Sequence, residues 1–204
     1  LSSNFFAYTF FVKIITLLEV MNIEHYILPI DCPNHVEGCG FIISDLFITS
    51  GHIIKNAENP SIRVFGEKIN LSNPIFFDCD ENNSKMYDLA VFPIPGAISE
   101  LELYDGKIEN GMGLQSISFR NLGEETVECE VTVANDIFNE GNYFGALTSK
   151  NLKEGSSGSP VLIGNKVVGI MTRGNNNGVD EPCEPALPIN FCIFLSSLAI
   201  KEVI

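Results

Sequence analysis

The chain has 204 residues, 45% of them hydrophobic, and a formal net charge of −14 from 26 acidic and 12 basic side chains. That length suits one or two domains with a real core. The acidity excludes a nucleic-acid binder that works through phosphates, which needs basic surface. It reads as a solubility device, with attraction of basic substrates as the alternative.

Residues 1–20 are rich in Phe, Ile and Leu, with Lys13 and Glu19 inside. Their uncharged runs are too short for a membrane span. They lack the basic n-region and small-residue cleavage site of a signal peptide. The stretch is read as a fragment or upstream translation ahead of Met21, with a signal or anchor remnant as the alternative, and no stable membrane association is expected. From Tyr26 onward, short apolar runs alternate with turn residues. They predict strands over 26–30, 40–44, 46–50, 61–65, 74–77, 88–94, 112–119, 126–134, 143–149, 159–163 and 166–172. Ser44-Asp45 and Gly164-Asn165 stand where hairpin turns belong. So many short strands at close spacing mean an all-β barrel or sandwich. Two helices are expected, one turn after His52 and one from about 190 to 200. Residues 96–111 read as a linker, and no internal repeat is visible.

Three fragments carry chemistry: Thr49-Ser50-Gly51-His52, then Tyr87-Asp88-Leu89-Ala90-Val91, then Gly155-Ser156-Ser157-Gly158-Ser159-Pro160. A serine hydroxyl is a weak nucleophile and needs a base within reach, oriented by a third group. Gly-Ser-Ser-Gly-Ser by itself reads as a flexible linker. Here the apolar run 160–163, a Gly-Asn turn and a second apolar run, 167–171, follow at once, which makes a hairpin. His25 and His35 precede these fragments and read as surface or packing residues. No Cys/His cluster has the spacing of a zinc site.

The order His52, Asp88, Ser157, with these motifs, resembles the chymotrypsin/trypsin-like serine protease family over roughly residues 38–190. The flavour is that of bacterial glutamyl-endopeptidase-like and viral chymotrypsin-like members. The resemblance implies two six-stranded antiparallel β-barrels and a short C-terminal helix. The N-terminal barrel, about 25–95, would hold His52 and Asp88. The C-terminal barrel, about 112–190, would hold Ser157, with the cleft between them. It implies a serine endopeptidase acting on proteins or peptides through an acyl-enzyme. Ser157 is then the nucleophile, His52 the base, Asp88 its orienter, and the N–H groups of Gly155 and Ser157 the oxyanion hole. No cofactor and no metal are implied. By the same resemblance Asn151 and Met171 border the specificity pocket, and Thr172, Arg173 and Gly174 run beside the substrate backbone.

Departures from the family pattern are informative. Ser156 stands where digestive members carry the aspartate that pairs with a new N-terminal amine, so that activation is not expected. Asn151 stands where trypsin-like members carry an aspartate, and Met171 where glutamyl-specific members carry a histidine. An apolar or uncharged residue before the cleaved bond is expected, rather than Lys or Arg. Six cysteines, at 32, 39, 79, 129, 183 and 192, would suit a disulfide framework in a secreted protein. The family's partners for such bridges are replaced by Ile53 and Lys153, so mostly free thiols and a cytoplasmic location are expected. A viral polyprotein-processing protease and a protease-fold binding or regulatory module are the alternative functions.

Overall fold

The computed structural model describes residues 23–34, 38–79, 87–120, 123, 125–134, 139–150, 152, 155–174 and 190–204. The leader, His35, Asn151, Lys153 and Cys183 lie outside these residues. The strands are β1 (Ile27–Pro29), β2 (Cys39–Ile43), β3 (Leu46–Thr49), β4 (Ser61–Val64), β5 (Glu67–Asn70), β6 (Phe76–Asp78), β7 (Leu89–Pro93) and β8 (Glu102–Leu103). They continue as β9 (Gly113–Arg120), β10 (Glu125–Val133), β11 (Asn139–Glu140), β12 (Tyr143–Thr148), β13 (Pro160–Ile163), β14 (Lys166–Gly174) and β15 (Phe191–Ser196). Two short helices accompany them, α1 (Gly51–Asn56) and α2 (Ser197–Lys201).

The fold is all-β, and its C-terminal half is a closed barrel. Strand order runs β10-β9-β13-β14-β15-β12, and β10 pairs with β12 to close the ring. β10 shows why such a sequence makes a barrel wall. Val127, Cys129, Val131 and Val133 point inward, and Thr126, Glu128, Glu130 and Thr132 point out. That period of two is the signature of a strand with one buried face. Inside lie Leu114, Val131, Ala146, Val168, Met171 and Phe194.

The N-terminal half is a five-stranded sheet, β1-β2-β3-β7-β6, with β4 and β5 as a separate ladder. The Asp31–Ser61 bridge links the ladder to the chain after β1. Six ladder-paired strands in one ring, as expected for this half, are not what the described residues form. β2 is buried along its whole length, and β7 is buried up to Pro93. One face packs on Ile53, Ile62 and Leu71. The other meets the barrel, where Phe41, Ile48, Leu89 and Val91 share a core with Ile117, Leu162, Ile170 and Leu195. At about 25 cal/mol per Å² of buried apolar surface, this shared core holds the halves in one arrangement.

Four strands escaped the sequence reading: β5, β8, β11 and β15. The largest correction is at residues 190–200, expected as a helix. There Phe191–Ser196 is a strand between β12 and β14, and only Ser197–Lys201 is helical. Cys192 and Phe194 fill the barrel interior, Phe194 stacks on Phe144, and Ser196 caps α2 by accepting the Ala199 N–H. The expected linker contains β8, which runs parallel to the start of β14.

Candidate active site

His52 sits in the first turn of α1, directly after β3. The N-cap of that helix is Ser50, yet its side chain makes no capping bond. Asp88 does the capping instead. Its Oδ1 accepts the His52 backbone N–H at 2.8 Å, and its Oδ2 meets the ring Nδ1 at 2.8 Å. One carboxylate thus holds both the backbone and the ring of His52. A carboxylate only accepts, so Nδ1 carries the hydrogen, and in the neutral ring Nε2 keeps its lone pair. Asp88 is buried at the entrance to β7, with a side chain 5% exposed against 34% for His52. Its φ of 44° is left-handed, a conformation Asp tolerates better than most residues.

Ser157 lies half-buried in a turn between two left-handed glycines, Gly155 (φ 92°) and Gly158 (φ 83°). Backbone bonds fix this turn from both sides. The Ser157 carbonyl accepts from Cys39 N at 3.0 Å, and Gly158 N donates to Met171 O at 2.8 Å. Gly158 has no room for a side chain, since a Cβ there would run into Cys39 O and lie 2.7 Å from Thr49 Oγ1. The turn is therefore seated on β2 and β3, and β3 leads straight into the helix of His52. Among the described residues no hydrogen bond joins Ser157 Oγ to His52. Apo hydrogen bonds of this kind are often long and tighten on substrate. Among the same residues, the N–H groups of Gly155 and Ser157 have no protein acceptor.

The neighbours of the turn include residues to which the sequence reading gave no role of their own. Ser50 Oγ donates to Met171 O at 3.0 Å, and Thr49 Oγ1 to Cys39 O at 2.6 Å. Cys39 Sγ lies 3.1 Å from Ser159 Oγ. Burial pushes the Cys39 thiol up to about 12, so it stays a neutral thiol here. Tyr143, on β12, has its phenol pushed up by burial first and by the charge of Asp88 second, opposed by Arg173. Ser156 is buried, and its hydroxyl reaches Ser118 Oγ at 3.5 Å.

The residues assigned to substrate binding divide. Met171 is 1% exposed within the barrel core, so the apolar wall expected of it is buried packing, not open pocket surface. Its backbone is what faces the nucleophile turn. Thr172 is also buried, with Oγ1 on Ile193 O at 3.2 Å. Pairing of β14 with β13 ends at Ile170, whereas pairing with β15 continues to Gly174, past a bulge at Thr172. Among the described residues, 172–174 thus have a strand on one side only. Arg173 is exposed there and has no carboxylate partner among the described residues. A hollow of about 780 Å³ lies elsewhere, lined by Leu114, Val131 and Ile163 among others, and contains none of His52, Asp88 or Ser157.

No two of the five described cysteines are bridged, and all five are buried. Among the described residues, no cluster of His, Cys, Asp or Glu is placed to hold a metal, and no helix is long and apolar enough to cross a membrane.

No protein-family model and no curated protein sequence matches the chain. Solved structures do. The active form of the Rv3671c protease from M. tuberculosis is 15% identical, with a TM-score of 0.66 over 91% of this chain and 82% of that one. The serine protease of a human pathogenic astrovirus is 16% identical, with a TM-score of 0.56 over 84% and 89%. The serine endoprotease from Yersinia pestis is 18% identical, with a TM-score of 0.68 over 92% of this chain but 64% of that one. At such identities the likeness is one of architecture, and in architecture this chain has the chymotrypsin-like fold of the serine proteases.

Proposed function

We propose that the chain is a serine endopeptidase that cleaves proteins or peptides through an acyl-enzyme on Ser157. The observation that carries this is the double hold of Asp88 on His52, which leaves Nε2 as a positioned base. Ser157 attacks the scissile carbonyl while His52 Nε2 takes its proton. Asp88 stabilises the imidazolium so formed. The N–H groups of Gly155 and Ser157 receive the developing oxyanion, a contribution worth on the order of 100- to 1000-fold per donor. His52 then protonates the leaving amine, and water repeats the sequence to free the acid. The halves at about 25–95 and 112–190 act as the two walls of the cleft, as the resemblance implies.

The substrate backbone adds to the open side of residues 172–174 as an antiparallel strand. By the family resemblance, Asn151 would border the pocket for the residue before the scissile bond. It carries no charge to match a lysine or arginine, so an uncharged side chain is preferred. The five described thiols, with no bridge among them, favour a reducing, cytoplasmic location. The test is labelling by a fluorophosphonate probe, together with hydrolysis of a peptide library. Wild-type protein labels at Ser157, and Ser157→Ala loses labelling and more than about a thousandfold in rate. A variant that keeps its rate overturns the proposal.

A further inference from the structure

Ser50 is a serine at a helix N-cap that does not cap its helix. Its position normally satisfies the N–H of the second or third helical residue. Here that N–H, on His52, is taken by Asp88. The freed hydroxyl of Ser50 is fully buried and crosses from the end of β3 to the second half of the molecule, where it donates to Met171 O. The same carbonyl accepts the N–H of Gly158, the residue after the nucleophile. A carbonyl has two lone pairs, and these two donors use both. One oxygen therefore ties the segment that carries His52 to the turn that carries Ser157.

We infer that Ser50 is a positioning residue for the reaction, setting the alignment of His52 with Ser157 through the Met171 carbonyl. The inference rests on the serine-protease reading above. It does not make Ser50 a catalytic group, since nothing in its geometry touches a reacting atom. Its effect belongs to the approach of base to nucleophile, which is what an acylation rate reports. Misplacement by about 1 Å is enough to cost on the order of 100-fold in such reactions. Loss of one donor, with the Gly158 bond kept, gives a smaller shift and a smaller cost.

The experiment compares Ser50→Ala with Ser116→Ala. Ser116 is also buried, and its hydroxyl also donates to a backbone carbonyl, that of Pro160, at 2.9 Å, but that bond stays within the barrel. The two variants lose equivalent bonds, so their melting temperatures fall by similar amounts. Well below those temperatures, Ser50→Ala loses about tenfold in kcat and in fluorophosphonate labelling rate, with KM within twofold of wild type. Ser116→Ala keeps wild-type kcat. Ser50→Cys, which retains a weak donor, lies between. Equal kcat for the two alanine variants overturns the inference and leaves the protease reading standing. Failure of wild-type protein to label or hydrolyse overturns the protease reading, and the inference with it. Should Ser50→Ala fold poorly, Ser50→Cys against Ser116→Cys gives the same comparison.

Discussion

At the scale of single residues, Asp88 combines two tasks that substitution can separate. Asn at this position keeps an oxygen for the His52 backbone N–H, so the helix cap survives. Its amide group faces Nδ1 with donors, which drives the ring to the wrong tautomer. Asp88→Asn should therefore lower kcat by roughly 10⁴-fold, in line with such triads, while stability changes by no more than the ~1 kcal/mol typical of a cap. Steady-state kinetics beside urea melts measure both, and a loss below tenfold would contradict the orienting role. Gly158 offers a second contrast. Gly158→Ala places a methyl against Cys39 O and Thr49 Oγ1 in a left-handed backbone, and the Cys39 carbonyl, held in β2, cannot yield. Gly164 is also left-handed, at φ 59°, but nothing lies within 4 Å of its virtual Cβ. Gly164→Ala should cost only the conformational strain, about 1–2 kcal/mol. Gly158→Ala should leave little folded protein in a thermal melt. Similar melting temperatures for the two would show that the turn is not clamped on β2 as described.

At the scale of elements, β14 is the strand to which the proposed function assigns recognition. Its last residues keep β15 on one side and lose β13 on the other, so a peptide can pair there. Arg173 projects into solvent at that edge, on a chain with an excess of negative charge. An acidic side chain on the pairing peptide would meet it. An exposed ion pair is worth about 0–1 kcal/mol, so Arg173→Gln should cut kcat/KM for acidic peptides by only about threefold to fivefold, leaving neutral peptides unchanged. A library profile unaltered by the substitution would remove Arg173 from the substrate path. The same strand shows what was legible in the sequence. Its apolar run and its Gly164-Asn165 turn were readable, because a strand buried on both faces reads as a continuous apolar stretch bounded by a turn residue of left-handed φ. β15 was not readable. Phe191–Ser196 has Cys192 and Phe194 inside the barrel, but Phe191, Ile193 and Leu195 are apolar too, so the alternation is erased. The run also leads directly into good helix formers. β5 was hidden for the opposite reason: Glu67, Lys68 and Asn70 are exposed, and only the Phe65-Gly66 turn, both residues at positive φ, marks a hairpin. The candidate triad was legible because each member sits in a local phrase of its own. Ser50, Thr49 and Cys39 were not, because their role exists only where two distant segments meet.

At the scale of the whole molecule, the buried thiols link stability to pH. Cys39 and Cys192 each have a thiol raised from 9.0 to about 12, with burial as the leading cause in both. The folded state thus keeps these protons where the unfolded chain has lost them. The sign follows directly. Below pH 9 both states hold the protons and the contribution is fully present. Between 9 and 12 only the folded state holds them, and stability falls with rising pH. Above 12 the contribution is gone. Each thiol gives a slope of about 1.4 kcal/mol per pH unit across that window. The phenol of Tyr143, also raised chiefly by burial, acts in the same direction from its ordinary value upward. Net charge of −14 adds a self-repulsion that grows as lysines neutralise, so absolute alkaline stability mixes several effects. A variant isolates the thiol part. Cys192→Ala deletes one titration and leaves the charge background intact. It loses some packing at every pH, because Cys192 fills the barrel beside Phe194. That loss is constant with pH and cancels from a slope. Urea melts between pH 9 and 11 should therefore show stability falling less steeply in Cys192→Ala than in wild type, by about 1.4 kcal/mol per pH unit. Parallel slopes would mean that the Cys192 thiol ionises in the folded protein as it does in the unfolded chain, and the barrel interior would then be open to water at β15.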